Sequence, residues 1–179
     1  MTVILEDLDQ DAATQDGTLA RVEGLVPGVR YEPSVVLMIS GRLDLPFFGA
    51  LAASRGDTDA VEFFRLLELH PPGFWQKSVT DDTACTTFDG SGFVDAYGDW
   101  SGLKPKSEVL SGGVKEQRDA ALEEFLGANC ICEKAPVVQA QYEEFLKRFP
   151  TDAHAEAVRA RMKQTGAGTS DVRLGCSPN

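Results

Sequence analysis

The last third of the chain contains two helical segments joined by a short proline-containing turn. In PVVQAQYEEFLKRFP, the apolar residues Val138, Tyr142, Phe145 and Phe149 recur at helical spacing. Pro150–Thr151–Asp152 ends this helix and starts an alanine-rich second one, AHAEAVRARMKQ. We therefore expect an antiparallel helical hairpin, with the aromatic face of its first helix packed against the rest of the fold.

Further helices are predicted upstream. Asp57–Thr58 is suited to cap a helix that ends at Pro71–Pro72, and an apolar stripe runs from Val114 to Leu126. Val35–Ile39 is compatible with a buried strand or with the start of a helix, because periodicity does not separate the two over so short a run. Helix is favoured because the sequence offers no second convincing strand. The prediction is a small, mostly α-helical protein.

The composition divides the chain into four segments. Residues 1–30 are acidic and are predicted to form a loosely ordered arm. Residues 31–113 are predicted to hold a helical core segment followed by a long irregular loop, which begins at residue 73 and is rich in glycine, aspartate and aromatic residues. Residues 114–166 form the hairpin region. Residues 167–179 are expected to be a mobile tail unless Leu174 or Cys176 is anchored.

The charge of the chain limits its partners. The formal net charge is −11, and both the first twenty residues and the stretch between Lys77 and Lys104 contain acids without a base. A phosphate backbone would be repelled by both regions, which argues against nucleic acid as a partner. A protein partner is predicted, a basic one being compatible with this charge. The same charge also favours solubility.

The sequence predicts no membrane span. SVVLMISGRLDLPFFGALAAS is its most apolar stretch, but Arg42, Asp44 and Pro46 interrupt it, so we interpret it as a buried core segment. The N-terminal MTVILEDLDQD lacks the positive region of a signal peptide. This favours the cytoplasm; an organelle lumen or the periplasm is the alternative if a presequence was removed.

The four cysteines are Cys85, Cys130, Cys132 and Cys176. We expect reduced, partly buried thiols. Two disulfides are the alternative, with three possible connectivities. Cys130 and Cys132 are too close in sequence to pair comfortably with each other, so a bridge would tie the acidic loop at Cys85 to the hairpin region.

The aromatic residues of the irregular loop are the predicted partner-binding site. Phe93, Tyr97 and Trp100 lie among the acids Asp95 and Asp99. Tyrosine and tryptophan are frequent interface anchors because they bury a large area at low entropic cost. The neighbouring carboxylates would steer a basic partner towards them.

The same loop, TFDGSGFVDAYG at residues 87–98, resembles the central part of an EF-hand calcium loop. The resemblance implies ligands at Asp89, Ser91, the carbonyl of Phe93, and Asp95. Thr87 stands where an aspartate is expected, and Gly98 stands where a bidentate glutamate closes the site. With two strong oxygen ligands missing, we expect that calcium does not organise this loop.

The hairpin resembles a single tetratricopeptide unit, in which an aromatic-rich helix is followed by an alanine-rich one. The residues that carry the resemblance are Tyr142, Phe145, Leu146, Phe149, Pro150, Ala153, Ala157 and Val158. The family implies protein binding through packed helices. No 34-residue repeat is found elsewhere in the chain, whereas solenoids generally need three or more units.

The sequence contains no convincing catalytic constellation. Its two histidines are His70, which we expect to cap a helix or lie on the surface, and His154. Cys85 and His70 would form a thiol–base pair only if folding brought them together. We therefore expect no catalytic residues and no cofactor. The predicted function is a non-catalytic interaction or structural accessory subunit of a larger assembly; the alternative is a metal-binding or thiol-redox protein.

Overall fold

The computed structural model describes residues 2–3, 27–33, 39–71, 76–80, 83–88, 92–166 and 172–176. The chain separates into two compact units, Met1–Glu68 and Leu69–Asn179. Six helices and seven short strands make up the described part. The predicted mostly α-helical fold is confirmed. No helix among the described residues is long and apolar enough to cross a bilayer.

Unit 1 combines a small antiparallel sheet with two helices. The elements in chain order are β1 (Thr2–Val3), β2 (Val29–Pro33), β3 (Ile39–Leu43), α1 (Leu45–Ser54) and α2 (Thr58–Leu69). The strands are arranged in the order β1-β3-β2. The preference for helix is wrong at Ile39, because β1 and β2 supply the pairing strands that the sequence did not reveal. Residues 34–38 and 4–26 lie outside the described residues.

Both helices of unit 1 begin at an aspartate. Asp44 Oδ1 accepts a hydrogen bond from Phe47 N at 3.2 Å, and Asp57 Oδ1 accepts one from Ala60 N at 3.0 Å, which confirms the predicted cap at Asp57. Gly28 has φ +79°, and a Cβ there would lie 2.6 Å from the ring of Phe47. Only glycine allows the chain to approach α1 so closely in this conformation.

Unit 2 places four helices around a small mixed sheet. Its elements are β4 (Gln76–Thr80), β5 (Thr83–Thr86), α3 (Gly92–Gly102), α4 (Glu108–Gly127), β6 (Cys130–Ile131), α5 (Ala135–Arg148), α6 (Ala155–Gly166) and β7 (Arg173–Leu174). The strand order is β4-β5-β6-β7. The β4–β5 pair is antiparallel, while β5–β6 and β6–β7 are parallel.

The predicted irregular loop is the largest error in the fold prediction. Residues 73–113 contain β4, β5, all of α3 and the first turns of α4. Glycine and aspartate lower intrinsic helix propensity, but Phe93, Tyr97 and Trp100 share one helical face. Burying that face stabilises α3 in spite of its composition.

The helical hairpin at α5 and α6 is confirmed. Gln139, near the start of α5, donates a hydrogen bond from Nε2 to the carbonyl of Met162, near the end of α6, at 2.9 Å, so the two helices are antiparallel. Pro136 lies in the first turn of α5, where its missing N–H costs no helical hydrogen bond. Tyr142 and Phe145 are at most 1% exposed. In the alanine-rich segment, Ala155 is buried, whereas Ala153, Ala157 and Ala160 are exposed.

The core of unit 2 is a cluster of aromatic rings. Phe125 lies at its centre, with its ring centroid 4.9–5.7 Å from those of Phe88, Phe93, Tyr142 and Phe145. All five side chains are at most 2% exposed. The cluster joins β5, α3, α4 and α5, so these elements depend on one another for burial.

Candidate functional site

The aromatic residues of the predicted partner site belong to the core. Phe93 is 2% exposed, Tyr97 3% and Trp100 1%. They face inward from α3, which packs on α4 and α5. The expectation that they form an exposed binding surface is therefore wrong.

The two acids of that predicted site have partners within unit 2. Arg148, at the end of α5, forms an ion pair with Asp95. His70 Nε2 lies 2.8 Å from Asp99 Oδ2. Because both carboxylates have partners, burial of the neighbouring rings leaves neither charge unpaired. Aromatic residues that lie among carboxylates can therefore be core residues. His70 is 7% exposed, so its predicted surface location is wrong.

A polar network links α3 to the turn before α6. Tyr97 Oη donates to Asp152 Oδ2 at 2.8 Å, and Asp152 Oδ1 lies 2.8 Å from His154 N and 3.0 Å from His154 Nδ1. Burial and the neighbouring carboxylate raise the pKa of Tyr97 to about 12. Burial alone would raise the pKa of Asp152, but the hydrogen bonds from His154 and Tyr97 together lower it. The network fastens the hairpin turn to α3.

The two ends of the EF-hand-like segment, residues 87–98, make different contacts. Asp89 and Ser91 lie outside the described residues. Phe93 and Asp95 belong to α3, in which Asp95 pairs with Arg148. At the other end, the Glu133 carboxylate accepts hydrogen bonds from Thr87 Oγ1 and from Phe88 N, both at 2.7 Å. Across the described residues, no group of three or more His, Cys, Asp or Glu side chains is placed to hold a metal ion.

All four cysteines are paired, so the expectation of reduced thiols is wrong. One bridge joins Cys85 to Cys132, and the other joins Cys130 to Cys176. The first ties β5 to the hairpin region, as expected for a bridge from Cys85. The second anchors the C-terminal segment that was predicted to be mobile. Because Cys85 is oxidised and His70 bonds to Asp99, the considered thiol–base pair does not form.

The most unusual surface lies on unit 1. Leu43, Phe47 and Leu51 are 56%, 40% and 43% exposed, and Ala50 between them is exposed as well. We call these four residues the α1 apolar face. Phe47 and Leu51 lie one helical turn apart and therefore project from the same side of α1. Leu43 lies just before the helix, at the end of β3.

The prediction that this region is a buried core segment is wrong for most of α1. Ala52 is the only residue of α1 that is fully buried. The signal for an unusual helix was present, because LPFFGALAAS contains no charged residue and is apolar on nearly every side. Such a helix is normally covered on all sides by protein or lipid. Here one side is left exposed.

No protein-family model matches the chain, and neither curated proteins nor solved structures give a significant match.

Proposed function

We propose that the chain is a non-catalytic interaction or structural accessory subunit that docks onto another protein through the α1 apolar face. The observation that carries this proposal is the exposure of Phe47 and Leu51 on a helix without charged residues. A continuous apolar patch on a soluble protein commonly marks an interaction surface. Covering it would remove apolar area from water at about 25 cal/mol per Å².

The base of α1 is fixed before any partner binds. Asp44 caps the helix and also accepts a hydrogen bond from Arg30 Nε at 3.0 Å, while Asp44 N donates to the carbonyl of Gly28 at 2.8 Å. A preorganised helix loses little conformational entropy on docking. These features support a partner that presents an apolar groove to one face of a rigid helix.

Charge supports a basic protein as that partner. The net charge of −11 would accelerate encounter with a positive surface, whereas α1 itself contributes no charge to the contact. Raising the salt concentration should therefore slow association much more than it accelerates dissociation.

Two further features agree with this class of function. The α5–α6 hairpin resembles a tetratricopeptide unit, and that family binds proteins. The two disulfides support action in an oxidising compartment, since such bridges are rare in reducing ones.

The test is site-specific photocrosslinking in the producing cell. A photoreactive phenylalanine analogue replaces Phe47 in one variant and Val109 in the control, because Val109 is 84% exposed but lies outside the α1 apolar face. We expect one discrete adduct with a different protein from position 47 and none from position 109. Leu51→Glu should abolish the adduct without changing the circular dichroism spectrum.

Two outcomes would contradict the proposal. The absence of an adduct at position 47, or the same adducts at both positions, would show that the α1 apolar face has no specific partner. An adduct of two copies of this chain, identified by mass spectrometry, would replace the accessory role with self-association.

A further inference from the structure

We propose that the Cys130–Cys176 disulfide is a redox-sensitive latch. A dithiol reductant opens it well before the Cys85–Cys132 disulfide and thereby releases residues 172–176 from β6. This inference rests on the positions of the two bridges within unit 2 and is independent of the α1 apolar face.

The two bridges hold different parts of the sheet. Cys85 lies in β5, between β4 and β6, so its bridge to Cys132 joins elements that are already held on both sides. Cys176 follows β7, which is an edge strand of only two residues. Opening the first bridge leaves its two halves held in place by the sheet, whereas opening the second leaves an edge segment able to move away.

Besides the disulfide, hydrogen bonds to β6 and its flanking residues hold residues 172–176. Backbone hydrogen bonds of 2.8–2.9 Å run from Arg173 N, Gly175 N and Cys176 N to the carbonyls of Asn129, Glu133 and Ile131. Val172 and Leu174 are only partly buried, and Arg173 and Gly175 are exposed. Because no side chain of this segment is fully buried, packing holds it less firmly than it holds Cys85 and Ile131, which are buried.

Access to sulfur favours the same order of reduction. An attacking thiolate must reach one sulfur while the other leaves as a thiolate. Cys85 is 3% exposed, so attack on it is blocked, and attack on Cys132 would release a thiolate into an apolar core that disfavours its charge. Cys130 and Cys176 are both partly exposed, so either sulfur can be attacked and either can leave.

The exchange balances with a dithiol as the named reductant. Its first thiolate displaces one cysteine sulfur and forms a mixed disulfide. Its second thiolate then attacks the reductant's own sulfur in that bond and releases the other cysteine. Two electrons pass to the protein, Cys130 and Cys176 end as thiols with two protons, and the reductant ends as a cyclic disulfide. The carbonyls of Asn129, Ile131 and Glu133 then form an uncovered sheet edge.

The first test uses the unmodified protein. Dithiothreitol is added under native conditions, samples are quenched with iodoacetamide over time, and the alkylated cysteines are located by peptide mass spectrometry. We expect Cys130 and Cys176 to be alkylated at least tenfold faster than Cys85 and Cys132. Equal rates, or the reverse order, would overturn the proposal.

The second test compares two matched double variants. The bridges close loops of nearly equal length, with separations of 46 and 47 residues, so their removal should affect the unfolded chain almost equally. In Cys130→Ser/Cys176→Ser, we expect amide exchange in residues 173–176 to accelerate at least tenfold at short labelling times. In Cys85→Ser/Cys132→Ser, it should not. Continued protection of this segment in the first variant would show that the bridge is not a latch.

Discussion

The two units use similar side chains to different effect. Unit 1 brings Phe47, Phe48, Phe63 and Phe64 into ring contact, with centroids 5.3–5.7 Å apart. None of these rings is fully buried. In unit 2, rings at similar spacing around Phe125 are almost completely shielded from solvent. Contact between aromatic rings therefore does not by itself make a core.

The difference lies in what surrounds the rings. In unit 2, the rings of the cluster come from three packed helices and from Phe88, just after β5, and nearby charges such as Asp95 are paired. In the described part of unit 1, the fully buried residues are small or few: Ala52, Ala60 and Leu66. Unit 2 has gained the free energy of burying its rings, whereas in unit 1 Leu43, Phe47 and Leu51 stay exposed to solvent.

The largest predicted effect is at the centre of the unit 2 cluster. Phe125→Ala removes a ring that contacts four others, and the loss of burial together with the cavity should cost about 3–5 kcal/mol of the free energy of unfolding. Urea unfolding followed by Trp100 fluorescence measures this cost, since Trp100 lies in the same unit. A cost below about 1 kcal/mol would mean that the cluster is not the core.

A smaller effect is expected at Glu133, whose carboxylate accepts hydrogen bonds from Thr87 and Phe88, the two residues that follow β5. Glu133→Gln keeps the shape but removes the negative charge, so the hydrogen bonds from Thr87 Oγ1 and Phe88 N lose their charged acceptor. Hydrogen bonds to charged groups contribute about 1.5–3 kcal/mol, and we expect a loss in this range. Glu143→Gln, at an exposed position, is the matched control and should leave the urea midpoint unchanged.

Alkaline pH should weaken unit 2 through its buried tyrosines. Burial raises the pKa of Tyr97 and of Tyr142 to about 12, from an ordinary value of 10.0. The unfolded chain loses these protons at lower pH than the folded chain, so their contribution is complete below pH 10 and is lost as the pH rises towards 12. Melting temperatures between pH 9 and 12 should fall less steeply in Tyr97→Phe/Tyr142→Phe. Equal slopes would rule out this linkage.

The smallest predicted effect is on the exposed face of unit 1. Phe47→Ser removes a ring that is 40% exposed and lies outside any enclosed core, so the free energy of unfolding should change by less than about 1 kcal/mol. Hydrogen exchange within unit 1 measures this directly. A loss as large as that of Phe125→Ala would show that both ring groups act as cores and would remove the contrast between the units.

Local patterns predicted the helices well where periodicity and caps agreed. The cap at Asp57 and the aromatic stripe of the hairpin both lie where the sequence placed them. Helix α3 was missed because glycine and aspartate reduced its local signal. Its stability comes from packing against α4 and α5, which are distant in sequence.

The candidate sites were less predictable for a related reason. Whether Trp100 lies on a surface or in a core depends on whether Asp95 and Asp99 find partners, and those partners, Arg148 and His70, are 53 and 29 residues away. The α1 apolar face was missed because a fully apolar helix was taken to imply complete burial. Sequence reports how apolar a helix is, but only the fold shows how much of it is covered.

Cys130 and Cys132 are separated by only one residue, and this spacing also affects how the disulfides form. For a newly made chain, Cys85 has two potential partners that differ by only two residues in distance along the sequence, so loop entropy hardly distinguishes them. The choice is made by the folded sheet: a hydrogen bond from Cys132 N to the carbonyl of Thr86 holds Cys132 beside β5, and the pairing of β6 with β7 brings Cys176 to Cys130. Correct oxidation therefore requires the sheet to form first, and a chain oxidised too early would need a disulfide isomerase to recover.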